Sequence, residues 1–321
     1  MADNSISINF FVKSLYLNDY NKVMPSHWIR CLQLMKYFKG VEGLRVTVNN
    51  FTYLPDILVI MRGFGRTERL MASAYKRLGT KVVWDTCVNY FETDSKNQQI
   101  NPCQITAAHK MIKNCDAVFT ASRFVNNIAS KYITAFYLTD TVDKGHFSKW
   151  KNTLNLKEPV LGWSGFAVKA GILQKFKKFL ERHKLLIISE KAPALDLNYD
   201  FIKWDYRSFP EDILKCDIMF SPRELDDMYN LGHSIFKVGV FLAAGVPVIA
   251  DPVPSYSELR CPHLYLRDTA NTDIEKVMAG IDADKREWDE RFSAENIVGE
   301  YYKVFKKLCS SVIDQFPKGH L

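Results

Sequence analysis

Short runs of consecutive apolar residues recur along this 321-residue chain, and amphipathic stretches separate them. In the first half the runs are Ser5–Phe11, Leu44–Val48, Ile57–Met61, Lys81–Asp85, Ala117–Thr120 and Ala135–Leu138. Helical spacing falls between them, at Ser26–Phe38, Arg66–Leu78, Cys103–Asn114 and Arg123–Ile133. A strand apolar on both faces has to be covered on both faces, as in a parallel sheet flanked by helices. The second half repeats the plan, with strands expected at Val160–Trp163, Leu185–Ser189, Phe201–Lys203, Ile218–Phe220, Val248–Ala250 and Leu264–Leu266. Its helices are expected near Val168–Arg182, Pro210–Lys215, Ser234–Ala244 and Thr272–Ile281. The expected class is therefore α/β, with two Rossmann-like, doubly wound units, residues 1–150 and 158–294. The length supports two cores, and the polar stretch Lys149–Glu158 between them is the expected hinge. A last amphipathic helix, about 295–316, presents Ile297, Tyr301, Phe305 and Leu308 at helical spacing.

The most informative single stretch is Phe220–Asp251. A strand ends in a polar loop, a helix opens near Ser234 and closes at Gly245, and Pro247 leads into the next strand. Ser234 suits an N-cap and Gly245 a C′ position. The helix is apolar on nearly every side, yet it carries Lys237 in its first turn. A lysine at the positive end of a helix dipole is unfavourable unless an anion lies there too. A hydroxyl, a lysine and free N–H groups around a strand-to-helix turn make a phosphate site.

Residues Asp226 to Lys237 read DDMYNLGHSIFK and continue into Ala243-Ala244-Gly245-Val246-Pro247-Val248. This resembles the donor-site segment of GT-B glycosyltransferases related to family 4. A subgroup of these carries D-D-x-[FY]-N-x-G-K-S-x-x-K, then an apolar helix and A-x-G-x-P-V. His233 stands where that subgroup has lysine, and Val240 where a glutamate usually holds the ribose. Gly232 stands where the broader family has a second glutamate. The resemblance implies a GT-B fold of two domains facing across a cleft, with the last helix packed back on the first. It implies transfer of a sugar from a nucleoside diphosphate sugar to a glycan or lipid-linked acceptor, in polysaccharide or glycoconjugate biosynthesis. Basic groups and helix ends rather than a metal would hold the leaving diphosphate, with no cofactor beyond the donor.

Ligands of open α/β sheets lie beyond the carboxyl ends of strands, which directs attention to residues just after each run. Gly162, Ser164 and Gly165 in the GWSG turn are candidates for a pyrophosphate, since glycines let backbone approach it. Arg223 either clamps a phosphate or pairs with Glu224 or Asp226. Asn230 either meets sugar or holds its turn, and His233 either donates to a phosphate or completes the loop. Trp204 either stacks on a base or packs between helix and sheet. Asp227 is expected to take the sugar contact left by the missing glutamates, against a role as a turn residue. In the first unit, Asp85 either takes the proton of an acceptor hydroxyl or caps its turn. Arg30, Arg62 and Gly63 are expected on the acceptor side, and no metal ligands are expected.

The seven cysteines are odd in number and never in C-x-x-C spacing, which points to reduced thiols and a cytoplasmic protein. A net charge of +7 permits peripheral contact with an anionic membrane. No basic-aromatic motif for nucleic acid is present, so none is expected as a partner. The rival expectations are a non-catalytic partner of the same fold, or a sugar-nucleotide epimerase.

Overall fold

The computed structural model describes residues 5–14, 16–93, 100–155, 157–259, 263–266 and 292–310. The first sheet contains β1 (Ile6–Phe11), β2 (Leu44–Val48), β3 (Ile57–Met61), β4 (Lys81–Thr86), β5 (Ala117–Thr120) and β6 (Ala135–Tyr137). The second contains β7 (Val160–Ser164), β8 (Lys184–Ser189), β9 (Asp200–Lys203), β10 (Ile218–Ser221), β11 (Val248–Ala250) and β12 (Leu264–Leu266). Both are parallel throughout, in the orders β2-β1-β3-β4-β5-β6 and β12-β11-β10-β7-β8-β9. Every expected apolar run is a strand, with ends within one residue. Strand β3 is buried at all five positions, as a central strand covered on both faces has to be.

The helices follow the pattern less closely. The expected Ser26–Phe38 helix breaks at Cys31 into Pro25–Arg30, a 3-10 turn Leu32–Leu34 and Met35–Phe38. The segment Ala167–Phe176 is 3-10 rather than α, and it has Gly171, a poor helix former, at its centre. The helix expected at Thr272–Ile281 lies outside the described residues.

The helix Ala294–Cys309 begins at Ser293, whose side chain accepts from the Asn296 amide, and returns to the first sheet. There the Tyr301 ring meets Phe38 at 5.7 Å and Phe119 at 5.6 Å between centroids. The expected hinge is fastened down in part. Lys151 Nζ donates to the carbonyls of Leu214 and Cys216 and pairs with Asp217 at 2.9 Å, which ties this part of the linker to the second unit.

Each sheet has one switch point, between β1 and β3 in the first and between β7 and β10 in the second. Strand ends diverge there and leave a crevice. Each crevice holds a cavity.

Candidate active site

The larger cavity, about 850 Å³, opens at the β7–β10 switch. Ser164, Gly165 and Lys169 line it from beyond β7, and Arg223 from beyond β10. Asn230, His233, Ser234 and Lys237 line it from the segment before and into the helix Phe236–Ala243. Met24, Ser26, Trp28 and Asp140 close it from the first unit. The GWSG turn needs its second glycine, because a Cβ on Gly165 would lie 2.9 Å from Trp163 and 3.6 Å from Lys237 Nζ.

Three cationic side chains, Lys169, Arg223 and Lys237, line this cavity. Lys237 Nζ lies 4.8 Å over the Trp163 ring, and Lys169 Nζ 5.0 Å over the Tyr229 ring. Arg223 Nε is buried without a partner, and its rival Glu224 pairs instead with Lys175 at 2.5 Å. Burial first, then Arg223 and Lys169, holds the Lys237 amine well below the ordinary lysine value. Burial, Arg223 and Arg62 bring Lys169 down to about 8. The His233 imidazole is likewise held well below its usual value, by burial and then by Arg223, Lys169, Lys237 and Arg62. Lys169 and Lys237, both held below their usual value by burial and by Arg223, form with that arginine a site suited to an anion.

At the other end the cavity is apolar, with Ile188, Trp204, Phe209, Val240 and Phe241 in its wall. Trp204 is half-buried, with its ring 6.2 Å from that of Phe209. Val240 offers no acceptor to a ribose. Gly232 carries no glutamate for a steric reason: a Cβ there would sit 3.0 Å from Val125 and 3.1 Å from the Asn89 amide nitrogen of the first unit.

Several expected residues stand elsewhere. Gly162 lies inside β7, where any Cβ would strike Cys216 Sγ at 2.2 Å, so it serves packing and does not line the cavity. Asp227 is 2% exposed and caps the short helix Met228–Leu231, accepting from the Tyr229 amide at 2.9 Å. It does not line the cavity either. Arg30 and Asp85 do not reach the acceptor side, because they are each 1% exposed and joined at 2.7 and 3.0 Å. Buried, and with both its oxygens on one guanidinium, Asp85 is part of the scaffold. Ser234 is not the N-cap, which is Ile235; its hydroxyl donates to Asp140 and accepts from the Phe236 amide at 3.4 Å.

Asp140 is also 2.7 Å from Arg30 Nη1, so Asp85, Arg30, Asp140 and Ser234 form one chain of contacts across the two units. Neither Lys169 nor Asp140 stood out in the sequence. Lys169 follows Ser164 by five residues in a Gly-rich turn, and Asp140 comes three residues after the last strand of its sheet. Weighting such positions by charge would have found both.

Arg62 and Gly63 line a second cavity of about 590 Å³, at the β1–β3 switch, together with Lys13, His27 and Tyr90. Arg62 has a positive φ of 57°, rare for arginine, and its Nε donates to the Tyr90 hydroxyl at 3.1 Å. Glu68, beside Gly63, is committed to Lys13 at 2.9 Å. Met24 lines both cavities.

No protein-family model and no curated protein sequence matches this chain. Solved structures do resemble it. An alpha-glucosyltransferase in complex with UDP and a 13-mer DNA containing an HMU base is 13% identical, with a TM-score of 0.61 over 94% of this chain and 100% of that one. HepE of Anabaena, in complex with UDP, is 11% identical, with a TM-score of 0.62 over 94% and 100%. AviGT4, a glycosyltransferase involved in avilamycin A biosynthesis, is 11% identical, with a TM-score of 0.61 over 95% and 98%. Similarity across nearly the whole of each chain, with two six-stranded parallel sheets in the orders given above, establishes that this protein has the GT-B fold.

Proposed function

We propose that the chain is a glycosyltransferase that moves a sugar from a nucleoside diphosphate donor to a hydroxyl acceptor, and that it is related to the family 4 subgroup named above. The single observation carrying this reading is the set of Lys169, Arg223 and Lys237 in the larger cavity, with no ion pair to any of them among the described residues. A diphosphate seated there supplies the missing charge, and its negative charge grows as the bond to the sugar breaks. Preformed cations aimed at that charge stabilise the transition state more than the ground state.

The apolar end beside Trp204 takes the base, and uracil is the first to test because the solved relatives hold UDP. Asn230 and Ser234 of the second unit and Asp140 of the first also line this cavity, and the sugar would lie beside them. Arg62 and Gly63, in the second cavity, face the acceptor, which we take to be a glycan or lipid-linked acceptor. Among the described residues no helix is long and apolar enough to cross a membrane.

A panel of UDP-glucose, UDP-galactose, UDP-N-acetylglucosamine and GDP-mannose tests the reading. At least one should raise the melting temperature and release its nucleoside diphosphate slowly in water. Binding without any release favours the non-catalytic partner, and no binding at all removes the proposal.

A further inference from the structure

Arg62, the first residue beyond β3, lines the smaller cavity at the switch point of the first sheet. Its backbone is strained. The Arg62 amide donates to the Asp85 carbonyl at 2.8 Å, and the Gly63 amide turns back to the Met61 carbonyl at 2.6 Å. Closing that tight turn puts Arg62 at a φ of 57°, in a region that glycine and asparagine occupy more easily. Turns closed this way over a positive φ are rare, and such strain gathers where a side chain has work to do.

The side chain is held from one side only. Arg62 Nε donates to the Tyr90 hydroxyl at 3.1 Å, which fixes the plane of the guanidinium. Among the described residues Nη1 and Nη2 have no hydrogen bond or ion pair, and neither is sealed in the interior. The other charges along this wall are balanced. Lys13 pairs at 2.9 Å with Glu68, the wall's one acidic side chain among the described residues. His27, lowered to about 4 by burial and then by Arg62, is neutral at neutral pH. Arg62 is thus the unbalanced charge of the smaller cavity, and its two free prongs match the paired oxygens of a carboxylate or a phosphate.

Arg62 also stands close to the donor site. Burial and Arg223 come first in bringing Lys169 down to about 8, and the Arg62 charge adds to them from the other unit. It reaches His233 in the same way, behind burial, Arg223, Lys169 and Lys237. An anion on Arg62 would therefore lie within electrostatic reach of the donor diphosphate's cations.

Resting on the glycosyltransferase reading above, we propose that the acceptor carries an anionic group, a carboxylate or a phosphate ester, close to its attacking hydroxyl, and that Arg62 Nη1 and Nη2 hold that group in the 590 Å³ cavity. Arg62 thereby selects charged acceptors over neutral polyols and sets the distance between the anion and the hydroxyl that faces the donor.

The test compares wild type with Arg62→Gln, which removes the charge. Arg62→Asn, a residue that tolerates the positive φ, replaces it if that variant does not fold. Release of the nucleoside diphosphate from the sugar nucleotide selected by the panel is measured with glycerol, glycerol phosphate and glycerate as small acceptors. Titration with the nucleoside diphosphate alone reads the donor site. Wild type should use at least one of the two anions about tenfold better than glycerol, and the one it prefers names the anion's chemistry. In Arg62→Gln that preference should fall to about twofold or less. A preference that survives the substitution overturns the inference, as does a wild type that binds the nucleoside diphosphate yet uses neither anion better than glycerol. A loss of nucleoside diphosphate affinity in Arg62→Gln as large as the loss of preference assigns the guanidinium to the donor and overturns it too. A wild type that binds no nucleoside diphosphate fails earlier, at the donor site, and takes the inference down with that reading.

Discussion

The Lys237 amine lies 4.8 Å over the Trp163 ring, with Arg223 and Lys169 as its charged neighbours and no ion-paired carboxylate among the described residues. The ring face offsets some of the lost hydration, and like charges close by oppose the rest. An arrangement this unfavourable alone is stabilised by what binds it, and the first prediction follows. Lys237→Ala should weaken UDP binding by about 1.5–3 kcal/mol, roughly 10- to 150-fold, and leave uridine binding nearly unchanged. Without ligand the variant should melt no lower than wild type, because a buried cation has been removed. Calorimetry with the two ligands checks the first part and thermal melts the second. Equal losses for UDP and uridine would move the lysine away from the phosphates.

Lys169 predicts a pH dependence. Burial and the neighbouring arginines bring its amine down to about 8 in the free protein. A bound diphosphate favours the charged amine and raises that value, so between the two values binding takes up a proton. UDP affinity should thus be nearly flat below a pH of about 8 and weaken above it by up to tenfold per unit. Lys169→Gln should bind more weakly at neutral pH and lose this slope. A slope that survives the substitution belongs to another group.

The buried contacts of Arg30 with Asp85 and Asp140 belong to the scaffold. Arg30→Met strands two interior carboxylates and should cost about 3–5 kcal/mol in urea unfolding. A loss below about 1 kcal/mol would mean that water already reaches these carboxylates.

Gly232→Glu restores a glutamate typical of the broader resemblance, yet it should impair this protein. The added side chain meets Val125 and the Asn89 backbone at 3.0–3.1 Å, which should lower the melting temperature and leave turnover no higher. Increased turnover would show that the first unit yields at this point.

Much of the scaffold was legible because continuous β-branched and apolar runs have few ways to be covered, and all of the expected strands formed. The helices were less legible. Cys31 interrupts a pattern that apolar spacing alone joins, and Gly171 loosens another. At the site, Lys237 was legible because a lysine in an apolar helix calls for an anion. The fate of Asp85 was not, since its partner Arg30 lies 55 residues away and only the fold brings them together. Ser234 misled in part: its hydroxyl accepts from the Phe236 amide, but the helix opens one residue later and the hydroxyl proton goes to Asp140 of the other unit. Lys169 gave no signal because its depression comes from burial and then from Arg223 and Arg62, which only the fold brings near it.

The most direct measurement is a crystal structure of the protein with UDP. The account predicts the diphosphate between Lys169, Arg223 and Lys237, with the uracil beside Trp204 and Val240. A diphosphate bound elsewhere, or one in the larger cavity that leaves all three cations without contact, would contradict it.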